Sequence, residues 1–249
     1  MADLLDVTGW APRPWDSAFF GVNIAQITGD RSTPAEMTDA VRTAQDASVD
    51  CLYYLVDAAD QESVRVAEQH RFSLVDIRLT LECAGGTPLH DAAAAAGSVT
   101  IRQAHAGDLP LLTALARANH RNTRFHQDAR FDRGRSDELY AVWIERSVNG
   151  ELADAVWVVD VDDAARGYLT VKASGDTATI GLVAVDPALR GRGHGVRLLQ
   201  TALRWAADRG LRRTVVATQG RSAASIRFYQ RAGFTPTRVE LWYHRWLRG

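Results

Sequence analysis

The stretch ALRGRGHGVRLL, Ala188 to Leu199, sets Gly191, Gly193 and Gly195 among Arg190, Arg192 and His194. An apolar run precedes it. An amphipathic run follows, with Leu199, Ala202, Leu203 and Ala206 on one stripe, as a helix packed on a core requires. The chemistry this arrangement offers is anion binding. The first N–H groups of a helix have no intrahelical partner, and the helix dipole is positive at that end. Glycines let an anion approach the backbone, and arginines add charge beside it. The expected ligand is therefore a phosphate or diphosphate, with His194 a spacer whose N–H matters more than its ring.

Three phosphate loops could be meant. A nucleotide-triphosphate loop needs Gly-Lys and then Ser or Thr at the helix mouth, for the γ-phosphate and magnesium. Here the loop closes as GHGVR, which offers neither. A dinucleotide loop needs G-x-G-x-x-G, but the third position is Val196. The strand candidate TVVAT also leads to Gln219 rather than an acidic ribose ligand. The third pattern, R-x-x-G-x-G after a strand ending in Val-Asp-Pro, is met by Arg190, Gly193 and Gly195.

Positioning such a loop takes an α/β framework, and the sequence supplies one. Strands are expected at 51–56, 73–82, 99–104, 155–161, 165–172, 177–185, 214–218 and 237–246, and helices at 61–70, 107–119, 136–148, up to about 209, and 223–232. Ser136 reads as the N-cap of its helix, and HRNTRFHQDARFDRGR before it as a loop. The glycine- and alanine-rich CAGGTPLHDAAAAAGS reads as a connection. It divides the chain into residues 1–84, a linker at 85–98, and residues 99–249. The halves echo each other: AEQHRFSLVDIRLTLE and FYQRAGFTPTRVELWYHR both run from a helix end through Phe into an alternating strand. Only the second half carries a glycine loop. In PWDSAFFG, Trp15, Phe19 and Phe20 are expected to bury the first half's core.

The composition narrows the partners. A formal net charge of −1 argues against a nucleic-acid or anionic-membrane protein, so any anion site is local. The first residues lack the pattern of a secretory signal, and no run reaches the ~18 apolar residues of a spanning helix. Two cysteines, Cys51 and Cys83, too far apart for a redox motif, read as buried hydrophobes and fit a reducing cytoplasm. His120 and His126 have no third ligand nearby in sequence, so no metal is expected.

GLVAVDPALRGRGHGVRLL and SAASIRFYQRAGF together resemble the two signatures of the GNAT superfamily of N-acetyltransferases. The resemblance implies an α/β fold of GNAT type: a mixed, mostly antiparallel sheet with helices on both faces. It implies a truncated GNAT-like half, 1–84, ahead of a complete one, and acetyl-CoA as co-substrate. Its diphosphate would lie on Arg190, Gly191, Arg192, Gly193, His194 and Gly195. The backbone of Leu182, Val183, Ala184 and Val185 would pair with the pantetheine arm. Tyr229 falls where many members place a general acid for the coenzyme sulfur. Ser222 replaces an asparagine common in the family, so the hydrogen bond to the coenzyme expected there is weaker or water-mediated.

The acceptor is less determined. PWDSAFFG, RFHQDARF and VVATQGRSAA resemble the branch of the family that acetylates the C4 amine of a nucleotide-linked sugar. That places Arg124, Phe125, His126, Asp128 and Arg130 over the acceptor, with the arginines toward phosphates and Phe125 and Phe131 against a base or sugar face. The proton acceptor is His126, Asp128 or water. Another small amine, a peptide N-terminus, and a sensor that binds acyl-CoA without turnover remain open. So does a homodimer formed through the alternating last strand VELWYHRW.

Overall fold

The computed structural model describes residues 9–85 and 99–248. All of the expected 85–98 linker except Gly85 lies outside them. The first half runs β1 (Trp10–Pro12), α1 (Pro14–Phe20), β2 (Ile24–Ile27), α2 (Pro34–Asp46), β3 (Cys51–Asp57), α3 (Gln61–Gln69) and β4 (Ser73–Ala84). The second runs β5 (Val99–Gln103), α4 (Leu109–Asn119), α5 (Arg124–Gln127), α6 (Arg133–Val148), β6 (Ala155–Val161), β7 (Ala164–Ser174) and β8 (Thr177–Val185), then α7 (His194–Asp208), β9 (Arg213–Gln219), α8 (Ala223–Arg231) and β10 (Thr235–Trp246). Helix α6 begins earlier than its sequence implies. Asp132, not Ser136, is the N-cap, its Oδ1 accepting the Arg135 N–H at 2.8 Å, and Ser136 is buried with its hydroxyl on the Asp132 carbonyl.

All ten strands join one sheet in the order β1-β2-β3-β10-β4-β9-β8-β7-β6-β5. The β2–β3 and β8–β9 pairs are parallel and the others antiparallel. The last strand, β10, lies between β3 and β4, and β4 in turn pairs with β9. Among the described residues, strands from both sides of the linker are thus interlocked in one sheet. With both edges of β10 already paired, the expected route to a dimer through VELWYHRW is closed.

Alternate residues of β6 divide between opposite faces. Trp157 and Val159 pack with α7 and α8, while Val156 and Val158 pack with α4, α5 and α6. A third cluster joins β2 and β3 to α2 and α3. Trp15, Phe19 and Phe20 of α1 belong to the second of these, not to the first half's own core. Phe20 meets Phe125 at 5.0 Å and Phe131 at 4.6 Å, and Trp15 meets Trp143 at 6.3 Å. The reason is geometric: interlocking brings α1 over the second half's helices, where apolar surface is available. Among the described residues no helix is long and apolar enough to cross a membrane.

Candidate active site

The glycine loop ends in a helix mouth with nothing of its own to fill it. Gly193 is the N-cap of α7 and makes no side-chain cap, so the orphan N–H groups stay available to an anion. Gly191 and Gly193 hold φ of +75° and +82°, and a Cβ at either would meet nothing within 4 Å. That open ground is what a bulky anion needs. At Gly195 a Cβ would instead approach Phe228 to 3.2 Å, so this glycine lets α8 pack closely on α7. The corresponding helix of the first half is closed. In α2, Thr33 and Glu36 form a capping box, and Glu36 supplies the negative charge itself.

The two arginines at the loop part company. Arg190 folds back, its Nε donating to the Val185 carbonyl at 3.2 Å and its guanidinium bonding Asn119, which ties the loop to the end of α4. Arg192 is exposed. The His194 ring is buried, and its Nδ1 has no partner among the described residues. Burial, with Arg197 and Arg192 nearby, lowers its pKa.

Behind the loop the parallel pair comes apart. Strands β8 and β9 pair only from Thr177/Arg213 to Ile180/Val216, although each continues several residues further. The register of β8 on β7 slips at the same level: Leu169 faces Val183 but Val171 faces Ile180, leaving Thr170 against both Gly181 and Leu182. This is a β-bulge, which bends its strand. The Thr170 hydroxyl accepts the Leu182 N–H at 2.8 Å, and a Cβ at Gly181 would come within 2.8 Å of that oxygen. Beyond the bulge, Val183 to Val185 have a ladder on the β7 side, and Leu182 to Val185 have none on the β9 side. The sequence signal for this device was Gly181, a lone glycine inside a strand.

Helix α8 presents Tyr229 to the same region. Tyr229 is buried in the cluster that holds Ile180 and Val216, the last paired residues of β8 and β9, and meets the Phe228 ring edge-on at 4.9 Å and the Phe234 ring tilted at 5.7 Å. Burial raises the phenol well above its ordinary value, so it stays protonated at neutral pH. Ser222 caps α8, its Oγ lying 2.7 Å from that of Ser225.

The residues expected over the acceptor are largely engaged elsewhere. Phe125 and Phe131 are buried in the core, so their faces are not open to a ligand. Both nitrogens of His126 are bonded, Nδ1 to the Thr123 hydroxyl at 2.8 Å and Nε2 to Asp137 at 3.0 Å. Asp128 accepts from His244 Nδ1, Trp246 Nε1 and the Arg130 N–H. Burial raises its carboxyl, but those hydrogen bonds outweigh burial and hold it below the ordinary range. With Nδ1 of His244 donating to Asp128, its Nε2 accepts from Arg124 at 3.3 Å. The Arg124 guanidinium stacks 4.1 Å from both the Tyr53 and Trp242 rings. Arg130 is exposed, 5.0 Å over Trp246. The segment is therefore bolted to β3 and β10. Asp76, buried on β4, carries no motif that marks it in the sequence. Among the described residues no group of three or more His, Cys, Asp or Glu side chains is placed to hold a metal ion.

A glycine-led helix mouth in front of two parting parallel strands, with a buried phenol behind them, defines an acetyltransferase of the GNAT type. The chain belongs to that family: the model for the acetyltransferase (GNAT) family matches residues 114–234. It is 30% identical over 236 residues to the dTDP-fucosamine acetyltransferase of Escherichia coli O6:H1, covering 94% of this chain and 96% of that one. It is 28% identical over 140 residues to the spore coat polysaccharide biosynthesis protein SpsD of Bacillus subtilis, covering 56% of this chain and 48% of that one. In fold it matches a GCN5-related N-acetyltransferase from Sphaerobacter thermophilus at a TM-score of 0.67 and 17% identity, covering 91% of this chain and 73% of that one. The protein is an N-acetyltransferase.

Proposed function

We propose that the protein transfers acetyl from acetyl-CoA to the primary amine of a nucleotide-linked amino sugar of the dTDP-4-amino-4,6-dideoxyhexose type. The observation that carries the coenzyme side is the parting of β8 from β9 directly behind the uncapped mouth of α7. The mouth suits a diphosphate, and the unpaired edge of Leu182–Val185 suits the amide-bearing arm. The acceptor class is supported by the near full-length similarity to a dTDP-fucosamine acetyltransferase. Arg130 and Arg192, both exposed and neither in an ion pair among the described residues, are cations suited to acceptor and coenzyme phosphates respectively.

In this reading the acceptor amine, once neutral, attacks the thioester carbonyl directly. The tetrahedral adduct collapses with cleavage of the C–S bond, and the sulfur takes the Tyr229 proton. Burial keeps that proton in place until the sulfur arrives. Thiol release from acetyl-CoA over a panel of dTDP-amino sugars, other small amines and peptide N-termini tests the reading. Fastest turnover on a dTDP-4-amino sugar is expected, with Tyr229→Phe lowering kcat about 10²-fold and leaving coenzyme affinity nearly unchanged. Preference for a peptide or simple amine would remove the sugar. Tight coenzyme binding without thiol release would make the protein a sensor.

A further inference from the structure

We propose that Asp76 is the general base of the transfer, so that the first half of the chain supplies a reacting group to a site whose coenzyme loop lies in the second. This rests on the acetyl-transfer reading above. Transfer from an ammonium sheds two protons between the bound amine and the finished amide. One ends on the coenzyme thiol through Tyr229; the other must leave through a different group. His126 and Asp128 are poor choices: Nε2–H of His126 donates to Asp137 while its Nδ1 accepts from the Thr123 hydroxyl, and Asp128 already accepts from His244, Trp246 and the Arg130 N–H.

Asp76 differs from them in place and in bonding. It sits on β4, opposite Trp242 of β10, and Trp242 packs into the cluster with α4, α5 and α6. That is the face away from α7 and α8, from which an acceptor would meet a coenzyme lying between β8 and β9. Its height is also right. Arg78 pairs with Gln219 at the end of β9, and Gly220 donates to the Ile77 carbonyl, so Asp76 stands beside the turn where β9 leads into α8 and Tyr229. The carboxylate is buried and accepts a single protein hydrogen bond, from the Ile77 N–H at 2.8 Å, and forms no ion pair among the described residues.

The charged and titratable groups around it come from three elements. They are Arg124 of α5, Arg221 of the β9–α8 turn and Tyr140 of α6. Burial raises the Asp76 carboxyl to about 6, against the pull of the Ile77 N–H and the two arginines. A base of that strength is ionised at neutral pH yet basic enough to take a proton in a reacting complex. On transfer the N–H bond breaks, the pair stays on nitrogen, and the carboxylate becomes a carboxylic acid that later releases its proton to water.

The full-length enzyme with acetyl-CoA and its best amine from the panel provides the test. Wild-type kcat/KM should rise through about pH 6, because the ionised carboxylate is the active form and is lost below that value. Asp76→Asn should lower kcat/KM about 10²-fold at pH 7. It should also replace that rise with a climb that continues toward the acceptor amine's own pKa, since alkali then supplies the free amine. Asp76→Glu should recover part of the rate and a pH limb, and calorimetry should show acetyl-CoA binding intact in both variants. An Asp76→Asn enzyme with wild-type rate, or a slow one with the wild-type pH profile, overturns the assignment while acetyl transfer stands. Wild-type enzyme silent toward every amine removes the transfer reading and the base together.

Discussion

At the scale of residues, Gly193 and Gly210 have nearly the same backbone problem and opposite surroundings. Both lie at left-handed φ, +82° and +67°, and a Cβ at either meets nothing within 4 Å. Alanine at either position should cost about 1–2 kcal/mol through the backbone alone. Gly193 opens α7 and Gly210 follows its far end, so only the first stands where a diphosphate would arrive. Gly193→Ala is therefore expected to raise the acetyl-CoA dissociation constant ten-fold or more, and Gly210→Ala to leave it unchanged. Melting temperature and calorimetry on both variants separate strain from binding. Equal affinity loss in both would place the coenzyme elsewhere. Such single residues were also what the sequence disclosed best, because glycine, arginine and a terminal phenol carry their chemistry in their type. Arg190 shows the limit: its charge was legible, but its attachment to Val185 and Asn119 depends on α4, far away in the chain.

At the scale of elements, most strands and helices follow from local pattern, and the exceptions have identifiable causes. Strand β8 alternates buried and open positions as a half-covered strand should, whereas β6 is covered on both faces and reads as a nearly continuous apolar run. Helix α5 escaped notice because it is a single turn inside a polar segment, held by tertiary bonds to β10 rather than by its own periodicity. The bulge in β8 was visible only as Gly181, while its partner Thr170 looked like an ordinary strand residue. Thr170 nevertheless holds the Leu182 N–H in a buried bond, at the level where β8 leaves β9. Thr170→Val keeps the shape and deletes the acceptor, leaving a buried donor unpaired at a cost of about 1–3 kcal/mol. A lower melting temperature and a raised KM for acetyl-CoA should appear together, with kcat for saturating coenzyme less affected. If stability falls while KM stays put, the bulge is a structural detail without a part in coenzyme binding.

For the whole molecule, the echo between the halves was legible, but their interlocking was not. Periodicity says that 237–246 is a strand; it does not say that the strand lies between β3 and β4. Long-range pairing is decided by which edges remain open when everything else has packed, and no local pattern records that. The consequence is that the proposed site borders both halves: α7, α8 and the parting strands belong to the second, and β3, β4 and α1 of the first pack under α5. It also means that neither half can satisfy its sheet alone. Without β10, β3 and β4 each lose an antiparallel ladder; without β4, β9 is left with only the short pairing to β8. Exposed edges of that length invite aggregation. Breaking the chain between Gly85 and Val99 severs one covalent link and none of these ladders. Fragments 1–85 and 99–249 expressed together should therefore copurify as a folded complex that retains acetyl transfer, whereas each expressed separately should be insoluble or lack cooperative melting. Circular dichroism, a tag on one fragment and the thiol-release assay read the outcome. A 99–249 fragment that folds and turns over unaided would show that the first half is an accessory and that β4 is dispensable to the site.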